Sequence, residues 1–198
     1  MRGRLVIVRH GNTFEAGEAP RRVGARTDLP LTATGRAQAE ALGERLREFQ
    51  FTRALFSPLR RTRETAEAIL AQQAHPPVAE PASFLIEIDH GPDENQPEDM
   101  VLARIGAPAL EAWEHDLVPP PGWIIDQEAR LAGWRALADD HHRAGGDWLL
   151  VTSNGAARFA LLAYGLAPER AKLRTGAFGV LGTSSDTHYH VIAWDQRP

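Results

Sequence analysis

The chain opens on four consecutive branched aliphatics, Leu5, Val6, Ile7 and Val8, set between Arg4 and Arg9. A run without polar alternation reads as a short strand buried on both faces, and such strands belong to sheets covered by helices. Similar runs recur at residues 53–56, 148–151, 178–181 and 188–194, the last two joined by a Ser/Asp turn. Between them the apolar spacing becomes helical. Leu42, Leu46 and Phe49 stripe a helix running to residue 49 behind Thr32 as N-cap, and Leu59, Ala66, Ile69 and Leu70 stripe a second. Ser57-Pro58 predicts the N-cap and first residue of that second helix. Leu131, Trp134, Leu137 and His141 line a longer helix from near Asp126 to Gly145-Gly146, and residues 156–164 form a last one closed by Gly165. The double His141-His142 at the C-terminal end of the longer helix is accounted for by the helix dipole.

The remaining segments punctuate this alternation. Residues 76–81, with three prolines, read as a connector, and Phe84-Leu85-Ile86 is a short apolar run ending at Glu87. Residues 98–105, stopped by Gly106, and 108–115 predict short helices, with Pro119-Pro120-Pro121-Gly122 dividing them from the helix that starts near Asp126. Residues of about 90–125 are expected to form a small helical cap over the sheet of one domain spanning 1–198.

Composition narrows the function classes. Hydrophobic residues make up 43% and charged residues 24%, as in ordinary soluble domains. A net charge of -4 and a pI near 6.1 give no overall field to attract nucleic acid or an anionic membrane, so neither partner is expected. The absence of cysteine removes disulfides, thiolate zinc sites and cysteine nucleophiles. The first strand starts at residue 4 or 5, so no signal peptide is expected, and no apolar run approaches membrane-spanning length; a cytoplasmic location is the expectation. His188 and His190 share a strand face but lack a third ligand, so no metal is assigned.

Chemistry begins where the first strand stops. In open α/β sheets ligands sit beyond the carboxyl ends of strands, which places Arg9 and His10 at a binding crevice. Gly11 lets the backbone turn there and approach a ligand closely. An imidazole can act as a nucleophile, and a guanidinium presents a planar fork of donors to phosphate. The strand of residues 148–151 repeats the plan, breaking into Thr152-Ser153-Asn154-Gly155 before a helix. Arg21, Arg22 and Arg26 lie in the loop after the first strand and read as solvated charges. Arg60, Arg61 and Arg63 oppose the dipole of the second helix, a cost that an incoming anion would explain, but taken alone they read as surface charges offset by Glu64 and Glu67.

Four segments, in order, resemble the histidine phosphatase superfamily, with its phosphoglycerate-mutase-like fold. They are Arg9-His10-Gly11-Asn12-Thr13, the helix start of residues 31–39, Ser57-Pro58-Leu59-Arg60-Arg61-Thr62-Arg63-Glu64-Thr65-Ala66, and Leu85-Ile86-Glu87-Ile88-Asp89 with Gly91. The resemblance implies a three-layer sandwich with a mostly parallel central sheet. It also implies a metal-independent, cofactor-free phosphatase acting on a small phosphorylated substrate. His10 would become phosphohistidine, Arg9 and Arg61 would hold the phosphoryl oxygens, and Glu87 would serve as acid and base. Asn12, Asn154 and Gly155 would complete the substrate site. One position departs from the family pattern: Asn154 stands where the family has a second histidine. An amide can donate to phosphate but cannot become cationic, so turnover is expected to be lowered or tuned. His90 is a candidate replacement, at a position the family often fills with a bulky apolar residue. A phosphate-binding pseudoenzyme is the alternative reading; a mutase is a third, disfavoured by the short chain. Oligomeric state is not legible.

Overall fold

A computed structural model of the chain describes residues 3–167, 171–183 and 188–198. Strands β1 (Arg4–Arg9), β2 (Phe51–Phe56), β3 (Ala79–Pro81), β4 (Asp147–Thr152), β5 (Phe178–Thr183) and β6 (Tyr189–Gln196) form one sheet in the order β3-β2-β4-β1-β5-β6. The first four strands in that order are parallel; β5 and β6 add antiparallel pairings at one side. Helices α1 (Ala33–Leu46), α2 (Arg60–Leu70), α3 (Glu98–Ile105), α4 (Ala107–Asp116), α5 (Gln127–Ala144) and α6 (Asn154–Ala163) complete the fold.

Alternation within the buried strands explains the layers. Val6, Val8, Ala54, Phe56, Leu149 and Val151 point to one face, where Leu42 and Leu46 of α1 and Ala66, Ile69 and Leu70 of α2 cover them. Leu5, Ile7, Leu55, Trp148 and Leu150 point to the other, against Trp134 and Leu137 of α5 and Phe159 and Ala160 of α6. Trp113 of α4 and Trp123 join that second cluster, so the 98–123 segment shares the core of the sheet face it lies against. The result is the three-layer α/β sandwich. Among the described residues no helix is long and apolar enough to cross a membrane.

Several boundaries differ from the sequence reading. Residues 79–81 are an edge strand rather than connector, because an outermost strand tolerates Pro81. The Phe84 run, given no conformation from the sequence, opens as a 3-10 turn (Ser83–Leu85). Helix α2 starts at Arg60 with Leu59 as N-cap: Ser57 donates its N–H to Val151 O and so still belongs to the strand layer. Helix α1 has the expected Thr32 cap, whose Oγ1 accepts from Gly35 N at 3.1 Å, but ends at Leu46 instead of Phe49. Helix α6 begins at Asn154, two residues before the expected start, and α5 has the expected Asp126 cap. His141, in the last turn of α5, is also held between Tyr189 OH at 2.7 Å and Gly146 O at 2.9 Å. Burial lowers its pKa. The Ser/Asp turn falls at residues 184–187, outside the described residues.

Candidate functional site

The parallel register brings the carboxyl ends of β1, β4 and β2 together: Arg9 is opposite Thr152, and Val151 is opposite Phe56. Residues His10, Asn154 and Arg61, which come after these strand ends, are therefore delivered to one region. His10 N donates to Thr152 O at 3.1 Å and fixes the first of these crossings. Gly11 is needed for packing as well. A Cβ there would lie 2.3 Å from Gly35 O in the first turn of α1, while its N–H donates to Thr65 Oγ1 of α2 at 3.2 Å.

The His10 ring is fixed at both nitrogens. Nδ1 lies 2.7 Å from Gly11 O, and a carbonyl only accepts, so Nδ1 carries the proton. Nε2 is then the bare nitrogen, and it accepts from Arg61 Nε at 3.1 Å. Burial pushes the His10 pKa well below 6.5, and the charges of Arg61 and Arg9 push it further, against the pull of the Gly11 carbonyl. The imidazole is neutral at physiological pH.

Arg61 is fully buried, and its remaining donors are aimed by backbone: Nη1 to Thr27 O at 2.7 Å and Nη2 to Gly24 O at 3.1 Å. Three of its five N–H groups are thus used, leaving two. Arg9 Nη1 donates to Leu173 O at 2.8 Å, while its Nε is buried with no acceptor among the described residues. Burial lowers the pKa of both guanidinium groups, against the pull of Glu87.

Glu87 is buried, its Oε1 accepting from Ile88 N at 2.9 Å and its Oε2 from Gly155 N at 3.2 Å. The Gly155 N–H is therefore already committed to the carboxyl group. Asn154 sits in the first turn of α6, and its Oδ1 accepts from Leu173 N at 2.8 Å. That bond fixes which end of the amide is which, leaving Nδ2–H2 as the donor end. The peptide of Leu173 thus touches two candidate residues, through its carbonyl to Arg9 and its N–H to Asn154.

A cleft of about 620 Å³ opens onto this region, with Arg9, Asn12, Glu87, His90, Asn154 and Gly155 among its lining. His10 and Arg61 lie buried beside it. Of the loop arginines, Arg21 and Arg22 line the cleft, Arg22 being paired with Glu98 at 2.5 Å. Arg26 instead pairs with Asp89 at 3.0 Å. Two residues were missed in the sequence. Glu94 accepts from Gly24 N, Arg26 N and Thr27 Oγ1 at 2.7–3.0 Å, stapling the loop whose carbonyls aim Arg61. Arg158, one turn beyond Asn154 and 2% exposed, donates to Trp113 O and Glu114 O, tying α6 to α4. Neither has a sequence signal, because each acts on backbone carbonyls or amides far away in the chain. Among the described residues no group of three or more His, Asp and Glu side chains could hold a metal ion.

The family model described as histidine phosphatase superfamily (branch 1) matches residues 5–188. The chain is 31% identical to the "Uncharacterized phosphatase PhoE" of Bacillus subtilis (strain 168) over 80% of this chain and 75% of that one. It is 33% identical to the "Probable phosphoglycerate mutase GpmB" of Salmonella choleraesuis (strain SC-B67) over 68% of this chain, spanning only 56% of that relative. The solved structure named "Mycobacterial hydrolase 1" superposes over 100% of both chains with a TM-score of 0.84 at 20% identity, a likeness of fold.

Proposed function

We propose that the protein is a phosphohydrolase acting on a small phosphomonoester, because the chain belongs to the histidine phosphatase superfamily, branch 1. It is an enzyme of that superfamily, and its phosphatase relative supports hydrolysis over transfer. The observation that carries the reading is the state of His10: its proton is locked on Nδ1, its lone pair lies on Nε2, and the unpartnered Arg9 Nε is buried in the same region.

In this reading the substrate phosphoryl group takes the place of the Arg61 Nε contact at His10 Nε2. The nitrogen forms a bond to phosphorus as the ester P–O bond breaks in line, giving phosphohistidine. Arg9 through Nε, and Arg61 through Nε and its two uncommitted N–H groups, hold the non-bridging oxygens as charge spreads over them. Each Glu87 oxygen keeps a lone pair beyond its backbone bond, so the carboxyl group can carry a proton for the leaving oxygen. Water then attacks phosphorus and gives its proton to Glu87, the N–P bond breaks, and inorganic phosphate leaves. Asn154, with its amide oriented by Leu173, supplies a neutral donor to a phosphoryl oxygen, and Asn12 lines the approach.

Neutrality of Asn154 favours a second reading, a phosphate-binding pseudoenzyme. Hydrolysis of p-nitrophenyl phosphate from about pH 4 to about pH 8 decides between them. Wild type should turn over, and His10→Ala should lose on the order of a thousandfold or more. No turnover in wild type with gain in Asn154→His selects the pseudoenzyme, and full activity in His10→Ala overturns the phosphohistidine reading.

A further inference from the structure

The proton inventory of the cleft leaves one imidazole unused. His90 lines the same cleft as Arg9, Glu87 and Asn154, and among the described lining residues it is the one histidine. It lies three residues after Glu87, just before a 3-10 turn (Gly91–Asp93), and is 5% exposed. Trp123 clamps the ring edge-on, with centroids 4.4 Å apart. Trp123 is itself fixed by its Nε1–H to Asp93 Oδ2 at 2.8 Å.

The inner side of this ring faces a carboxylate. His90 Nδ1 lies 3.6 Å from Glu94 Oε2, and that nitrogen is buried without a hydrogen-bond partner among the described residues. Burial pushes the Glu94 carboxyl up, but His90, the Thr27 hydroxyl and the His90 backbone N–H outweigh it and hold it at about 2. A bare nitrogen lone pair opposite a permanent anion is repelled, so Nδ1 carries a proton. With Nδ1 turned inward, Nε2 is the nitrogen left for the cleft. When it too is protonated the ring is a cation, with Glu94 as counter-charge. The other charged groups lining the cleft are Arg9, Arg21, Arg22, Lys172, Glu15, Glu18, Glu87, Glu98 and Glu114.

We propose that His90, seated on Glu94, is a catalytic residue whose Nε2–H donates to a non-bridging oxygen of the transferring phosphoryl group. It supplies the charge-assisted bond that the Asn154 amide cannot. No proton is transferred in this step; the imidazolium keeps both protons. The proposal rests on the phosphohydrolase reading.

The test uses His90→Phe, His90→Gln, Asn154→His and the double variant His90→Phe/Asn154→His, assayed with p-nitrophenyl phosphate, with orthovanadate binding followed by calorimetry. His90→Phe should lower kcat on the order of a hundredfold and weaken vanadate. Asn154→His should recover about tenfold or more of that loss in the double variant, and add far less to wild type. His90→Gln, close in size and still a neutral donor, guards against misfolding and should fall between. If His90→Phe, or His90→Gln should the former not fold, keeps wild-type kcat and vanadate affinity, the inference is wrong. With His10→Ala inactive in the same assay, the phosphohydrolase reading survives that result; with His10→Ala fully active, both fall.

Discussion

At the scale of single residues, the site depends on atoms whose room is set by what is missing beside them. A Cβ on Gly155 would lie 2.3 Å from Glu87 Oε1 and 2.7 Å from Ile88 Cγ1. Gly155→Ala therefore has to push the carboxyl group out of line or break its bond from the 155 N–H. We expect kcat to fall by about a hundredfold, with an overpacking cost of about 1–3 kcal/mol. Steady-state kinetics beside thermal unfolding checks both, and wild-type kcat in this variant would remove Glu87 from the proton path. The residues of Arg9-His10-Gly11 were legible because a buried strand ending in chemistry leaves a sharp boundary in the sequence. The state of His10 was not. Its tautomer is set by one carbonyl and one guanidinium, and neither contact has a sequence periodicity to betray it.

At the scale of elements, the parallel strands β1 and β4 were legible as unbroken apolar runs, and α1 and α5 by their Thr32 and Asp126 caps. β3 was missed because a three-residue edge strand containing proline looks like a connector until its neighbour is known. The α6 start was missed by two residues because Ser153, its N-cap, makes no side-chain capping bond. The loop of residues 24–27 is ordered by Glu94, whose carboxyl is held low against burial first by His90 and then by the Thr27 hydroxyl, and this yields a pH dependence. Folding lowers the Glu94 pKa from 4.5 to about 2, so its contribution is complete above about pH 5 and is lost as pH falls through about 2. The shift corresponds to stabilisation on the order of 3 kcal/mol. Glu94→Gln should therefore unfold at lower urea near pH 7 and approach wild type as pH falls towards 2; an equal gap at every pH would place the effect elsewhere.

At the scale of the whole molecule, both faces of one sheet are covered, and the segment carrying Trp113 and Trp123 shares its core with Leu5 and Ile7 of the first strand. The 98–123 segment therefore has no separate interior to keep it folded alone. Unfolding followed by tryptophan fluorescence and by far-ultraviolet circular dichroism should give one coincident transition; two separated midpoints would make the 98–123 segment an independent unit. The net charge of -4 coexists with the guanidinium groups of Arg9, Arg61, Arg130 and Arg158 around Glu87, so the sequence total carried no signal of the site's sign. The Leu173 peptide carries a last implication. Its C=O and N–H steady Arg9 and Asn154, residues separated by most of the chain, and no side chain takes part in either bond from its end. Alanine scanning would pass over position 173 as a hydrophobic filler. An amide-to-ester exchange there would unfasten Asn154 alone, and a chain halted short of residue 173 would own its nucleophile yet lack the anchor that aims two of its anion contacts.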